Sequence, residues 1–227
     1  AYQRPFSRDE LLQMAKQVEK EVTFLRLGDR TVSAAEILCV LARAVAVYDE
    51  NLQWKHPAHS IVRASLEDGT SAEWVEARMF NRGIELEFLY GPSGTWSETI
   101  QEGAFSWRRW VEACRDFLEE AEDLGRIPAV IWVAGKPVAP EDFAATLGWV
   151  VERLSEQNPS SWTGTEFPGL GEVPLKKGNF TAGKYVSEDR PGLWSWVIFP
   201  PGLRCPKMME LGRLQAWTIK PAILVQP

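Results

Sequence analysis

Histidine, cysteine and long apolar runs are what this 227-residue chain has least of. Its two histidines, His56 and His59, sit in the stretch WKHPAH with Pro57 between them, and no cysteine stands nearby at zinc-like spacing. That stretch reads as a solvated loop, so no metal ligand and no cofactor are expected. Three cysteines cannot all pair within one chain. Cys39 and Cys114 fall on apolar faces of predicted helices, where a free thiol behaves as a small hydrophobe, and Cys205 falls in a predicted loop. No run approaches the roughly 20 apolar residues needed to span a bilayer. Lys and Arg number 25 against 31 Asp and Glu, for a net charge of −6, and they are scattered. A basic face for nucleic acid or for an anionic membrane is therefore excluded. There is no G-x-S-x-G, Walker or G-x-G-x-x-G pattern. The acidic run at 119–123 has helical spacing and reads as a solvated helix face, not as the paired carboxylates of a glycosidase cleft. No catalytic residue is expected.

What is present is order written twice. Hydrophobic content of 45% is ample for a core. Residues 6–94 and 105–202 run through the same sequence of signals. Phe6-Ser7 and Phe105-Ser106 each open an amphipathic helix. Ser7 with Glu10, and Ser33 with Glu36, have the S-x-x-E spacing of a capping box. Ser106 is the expected cap of the corresponding second helix. Leu11, Leu12, Ala15, Val18 and Val22 form one stripe, and Trp110, Val111, Cys114, Phe117, Leu118 and Ala121 form its counterpart. A Gly-to-Val step (Gly28 to Val32, Gly135 to Val138) precedes a further helix in each half. One of these helices carries Ile37, Leu38, Leu41, Ala44 and Val45. The other starts at Pro140 and carries Phe143, Leu147, Val150 and Val151. Residues 130–134 alternate as a short strand would. The first half is seven residues shorter in its middle, because Val32 follows Phe6 by 26 positions and Val138 follows Phe105 by 33.

The stretch FSWRRWVEACRDFLEEAEDLGRIPAVIWVAGKPVAPEDFAATLGWVVERL resembles the pseudomurein-binding repeat. The likeness lies in four features: the first amphipathic helix, the Gly-Arg-Ile-Pro stretch, the alternating core that runs through Gly135 to Val138, and the Asp142-Phe143 helix start. The first copy, from Phe6 to about Tyr48, is similar with a shortened middle. The resemblance implies a small helical module of extracellular, wall-associated proteins, and a wall polymer as partner. It assigns no ligand-contacting residue.

Each half is expected to close with an antiparallel hairpin. The first is EWVEARMF, Asn81-Arg82-Gly83, then IELEFLY to Tyr90. The second is KYV, a Gly-terminated turn, then LWSWVIF to Phe199. Here Glu85 and Glu87 align with Trp194 and Trp196, so a charged strand face becomes aromatic. Three tryptophans precede residue 105 and eight follow it, in keeping with that change. The Trp194/Trp196 face has three destinations: the rest of this chain, another copy of it, or a sugar ring. The tail ends in the apolar run Ala222, Ile223, Leu224 and Val225, suited to adding a strand within or between chains.

The expectation is an α+β protein formed by tandem duplication of a helix-pair plus β-hairpin module. Residues 1–104 and 105–202 would be the two modules and 203–227 a C-terminal extension. The start at Ala1-Tyr2-Gln3 reads as a mature secreted chain. The leading function is a non-enzymatic, extracellular structural protein that self-assembles into a filament, tube or layer. Its interface candidates are Trp194, Trp196, Ala222, Ile223, Leu224 and Val225, and its partners are other copies of itself. The alternatives are a module binding pseudomurein or peptidoglycan and a Cys-dependent wall peptidase.

Overall fold

The computed structural model describes residues 6–28, 30–54, 90–156, 170–182 and 206–221. Within them the chain is mixed helix and sheet. The order is α1 (Arg8–Lys20), β1 (Leu25–Leu27), β2 (Arg30–Val32), α2 (Ala34–Trp54), β3 (Ala104–Ser106), α3 (Trp107–Leu124), β4 (Ile131–Val133), β5 (Lys136–Val138), α4 (Pro140–Glu156), β6 (Glu172–Pro174) and α5 (Pro206–Gln215). A 3-10 turn, Ala216–Thr218, follows α5. Three two-stranded antiparallel sheets form: β1–β2, β4–β5 and β3–β6.

Helix–hairpin–helix thus occurs twice, with the hairpin between the two helices. The Gly-to-Val steps of the sequence are these hairpins. Leu25 pairs with Val32 and Leu27 with Arg30, while Ile131 pairs with Val138 and Val133 with Lys136. Both leave two residues for the turn. Gly28 turns with φ +59, and Ala134 and Gly135 with φ +51 and +73, the left-handed values a two-residue hairpin turn requires. The seven extra residues of the second half divide between helix and connection. Five lengthen α3, which has 18 residues against 13 in α1, and two lengthen the link to the hairpin.

The helix starts follow from local chemistry, with one exception. Ser7 Oγ accepts from Glu10 N at 3.3 Å, and Ser7 N donates to Glu10 Oε2 at 2.8 Å. Ser33 and Glu36 form the same reciprocal pair at 3.2 and 2.6 Å. Pro140 opens α4, where its missing N–H costs nothing. Ser106 precedes α3 but makes no side-chain cap, contrary to expectation. Its backbone lies in the β3–β6 ladder, and the first helical N–H, on Trp107, donates to Gly171 O at 2.7 Å. The carbonyl before β6 does the work a serine hydroxyl does in α1.

The predicted stripes are buried with small exchanges. On α1 Leu11, Met14, Ala15 and Val18 are buried, Met14 taking the place expected of Leu12. Val22 is also fully buried, though beyond the helix end. On α3 Trp110, Val111, Cys114, Phe117 and Ala121 face inward and Leu118 is half-buried. α2 and α4 are buried almost all round over 34–42 and 142–148 because each packs against several neighbours.

The packing crosses between the halves. α1 lies on α4, α3 lies on α2, and α2 meets α4. The first helix of each half therefore rests on the second helix of the other, and side chains from both contribute to one continuous core. Two isolated parallel bridges repeat the exchange: Val22 with Phe180, and Arg126 with Tyr90. At the α1–α4 crossing Gly148 lets the helices approach closely, since a Cβ there would stand 2.6 Å from Ala15 O. The aromatic centre joins Trp110 to Phe143 (5.6 Å between ring centroids) and Phe117 to Phe143 (5.8 Å). Trp110 Nε1 also donates to Val173 O at 3.2 Å, which anchors β6 to α3. The 206–221 segment touches both halves. Lys220 pairs with Glu36, Thr31 Oγ1 donates to Pro221 O at 3.0 Å, and Trp217 stacks on Phe180.

Candidate binding surface

The charged groups inside the fold are committed to holding it together. Glu10, Glu36 and Asp142 all occupy the third position of a helix, where a carboxylate faces the positive end of the helix dipole. Each is buried and each meets a cation: Arg30 for Glu10 at 2.7 Å, Lys220 for Glu36, and Lys177 for Asp142 at 2.7 Å. Asp142 also accepts from Gly178 N at 2.8 Å. Neither Glu36 nor Asp142 is open to a substrate. Cys39 and Cys114 are buried and form no disulfide with each other, and burial pushes the Cys114 thiol far above its ordinary range, which keeps it un-ionised. Among the described residues no group of His, Cys, Asp and Glu has metal-ligand geometry, and no helix is long and apolar enough to cross a membrane. The remaining cluster of titratable groups joins α1 to α4. Glu19, despite an exposed side, has its carboxyl pushed up to about 7 by burial and by the neighbouring Glu152 carboxyl; Lys176 and Arg153 oppose that rise.

Among the described residues the large apolar side chains exposed are Tyr90, Trp96, Leu124, Trp132 and Leu211, and the two tryptophans meet at one hairpin. Side chains alternate across a strand, so Trp132 points away from the core between buried Ile131 and Val133. It is 49% exposed. Opposite it on the paired strand is Pro137. A segment from the first half runs alongside. Tyr90 bridges Arg126, Ser93 N donates to Ile127 O at 2.9 Å, and Ile100 N donates to Pro137 O at 2.9 Å. This places Trp96, 48% exposed, edge-on to Trp132 with ring centroids 6.2 Å apart and planes at 74°. The segment is held at its other side by Thr95 Oγ1, which donates to Glu210 Oε1 at 2.6 Å, and by Gly91, whose missing side chain admits Leu214 O. Ser93, Thr95 and Ser97 are exposed around the indoles.

The equivalent hairpin of the first half has different chemistry. Arg26 stands where Trp132 does, and Thr31 where Pro137 does. Its neighbour is the 220–221 segment, through the Thr31 and Glu36 contacts.

The interface candidates Trp194, Trp196, Ala222, Ile223, Leu224 and Val225 lie outside the described residues, as do His56, His59, Cys205 and all of both expected terminal hairpins except Tyr90. The structure therefore brings none of those candidates to a site. The Trp96–Trp132 pair was missed because 130–134 reads only as an alternating strand and Trp96 only as one tryptophan of a count. The signal lay in aligning the two hairpins on Val32 and Val138, which sets Arg26 against Trp132. Comparison with known proteins finds no matching family model, no matching curated protein and no matching solved structure.

Proposed function

We propose that this chain is a non-enzymatic, extracellular module, built by tandem duplication, that binds a polymer of the cell wall. The observation that carries the reading is the half-exposed Trp96–Trp132 pair, Trp132 on the β4–β5 hairpin and Trp96 on the segment hydrogen-bonded beside it. Large indole faces are costly to leave in water unless something covers them. The resemblance to the pseudomurein-binding repeat supplies the class of partner. Duplication accounts for the repeated helix–hairpin–helix order and for the exchange of helices between the halves, since two like units packed about a pseudo-two-fold axis make reciprocal contacts. The commitment of the buried carboxylates to lysines and arginine favours a binding role over catalysis. Co-sedimentation of the full chain with purified pseudomurein and peptidoglycan sacculi tests this: saturable pelleting with either supports it, and a chain left wholly in the supernatant with both overturns it.

Self-assembly is the second reading. One hairpin presents a cation, Arg26, and the other an aromatic pair, so unlike faces are available for a head-to-tail contact that does not close. Sedimentation velocity over a concentration series, without wall material, separates the two readings.

A further inference from the structure

The helix–hairpin–helix unit occurs twice, and two linked sites would ordinarily be expected to add avidity. We infer instead that the chain carries one glycan subsite, formed by Trp132 and Trp96 on the second hairpin, and that the first hairpin is not a site. This rests on the wall-binding reading and specifies it.

The asymmetry is in the residues. The outward face of β4–β5 is Trp132 with Pro137, an apolar patch, and Trp96 is laid against it by the 90–100 segment. The outward face of β1–β2 is Arg26 with Thr31. There Thr31 is spent on Pro221 O, and Lys220 beside it is drawn to Glu36. A sugar ring needs a flat apolar surface for its C–H face and hydroxyl or amide groups at its edge. The second hairpin offers the first through two indoles and the second through exposed Ser93 and Ser97. The first hairpin offers no aromatic ring at the equivalent strand positions.

Size also selects the occupant. An indole carries about 150–250 Å², so two at half exposure present about 200 Å². A stable protein interface takes about 800 Å² per partner. By itself the pair offers about a quarter of that area, a size that matches one or two pyranose rings. Acidic Glu98 and basic Lys136 are both exposed close by in sequence, so no single charge dominates, and the fitting ligand class is an uncharged or N-acetylated hexose unit of a wall glycan.

The test is co-sedimentation of the full chain with purified sacculi, comparing wild type with Trp132→Ala, Trp96→Ala, the double variant and Arg26→Ala. Thermal melting confirms that each is folded, which surface positions should allow. Each Trp variant is expected to weaken binding at least tenfold, the double variant to retain under a tenth of wild-type pelleting at every concentration, and Arg26→Ala to stay within twofold. Titration with the N-acetylglucosamine hexamer, read by calorimetry, should show one site per chain in wild type and none in the double variant. If wild type pellets and the double variant does too, the subsite is overturned while wall binding stands. If Arg26→Ala binds as poorly as Trp132→Ala, the one-site inference fails. If wild type does not pellet, both readings fall. If Trp132→Ala abolishes only a self-association, the occupant is another copy and the glycan subsite is overturned.

Discussion

Gly148 is the position where a single methyl group tests the exchange of helices between the halves. A Cβ there would lie 2.6 Å from Ala15 O and 2.7 Å from Val18 Cγ2. Ordinary carbon contacts begin near about 3.5 Å, so α1 and α4 must separate by close to an ångström or their side chains must turn. Val18 can rotate; the backbone oxygen of Ala15 cannot. Overpacking of this kind costs about 1–3 kcal/mol, and contact with backbone puts Gly148→Ala at the upper end. Alanine returns about 1 kcal/mol through helix propensity. The net is a loss of about 2 kcal/mol, which for a chain of this size lowers the melting temperature by about 4–8 °C. The matched position in α2 is Ala42, already a residue with a Cβ and fully buried. Ala42→Gly should therefore be destabilising by about 1 kcal/mol, with no relief of strain. Thermal and urea unfolding followed by circular dichroism measure both. A Gly148→Ala chain that melts at or above wild type would falsify the close crossing and the exchange it serves.

Other consequences follow from named contacts. Ala134 holds φ +51, a left-handed value that asparagine adopts more readily than alanine because its side chain bonds the local backbone, so Ala134→Asn should stabilise by up to about 1 kcal/mol in urea unfolding. Asp142→Ala removes the partner of the half-exposed Lys177 ammonium and leaves the Gly178 N–H without its acceptor, and should cost about 2 kcal/mol, whereas replacing exposed Glu156 should cost under about 0.5 kcal/mol. The Glu19 carboxyl holds its proton up to about 7 in the folded chain but only to the ordinary 4.5 when unfolded. The folded state thus binds more protons between these values, and stability should fall as pH rises from about 4.5 to 7, by about 1 kcal/mol once solvent screening is allowed for. Glu19→Gln should flatten that slope; an unchanged slope would refute the carboxyl pair. Native alkylation followed by peptide mass analysis should leave Cys114 unmodified until the chain is unfolded.

Local signals carried far along this chain. Ser7 and Ser33 cap because a serine three residues before a glutamate satisfies two backbone N–H groups without help from elsewhere, and Pro140 starts a helix because its ring fixes φ. Apolar periodicity placed the inward faces of four helices and assigned both Cys39 and Cys114 to the interior. Repetition of those signals gave the α+β class and the repeated order. Ser106 shows where local reading ends: its neighbour Trp107 is capped by Gly171, a residue 64 positions later that only the β3–β6 pairing brings near.

Partner choice was the tertiary decision. Nothing in the α1 stripe says that it will rest on α4 of the other half and not on α2, because an apolar stripe has no address and the choice turns on how closely Gly148 lets two backbones approach. The exposed tryptophan pair has the same origin. Trp96 and Trp132 lie far apart in the sequence and meet only because the 90–100 segment pairs along Arg126 to Pro137. The sequence by itself determined that helix, hairpin and helix would follow one another twice, through short-range caps, turns and periodicity. Long-range packing, whose energy depends on shape and not on local pattern, decided how they interlock and which hairpin keeps its aromatic face in water.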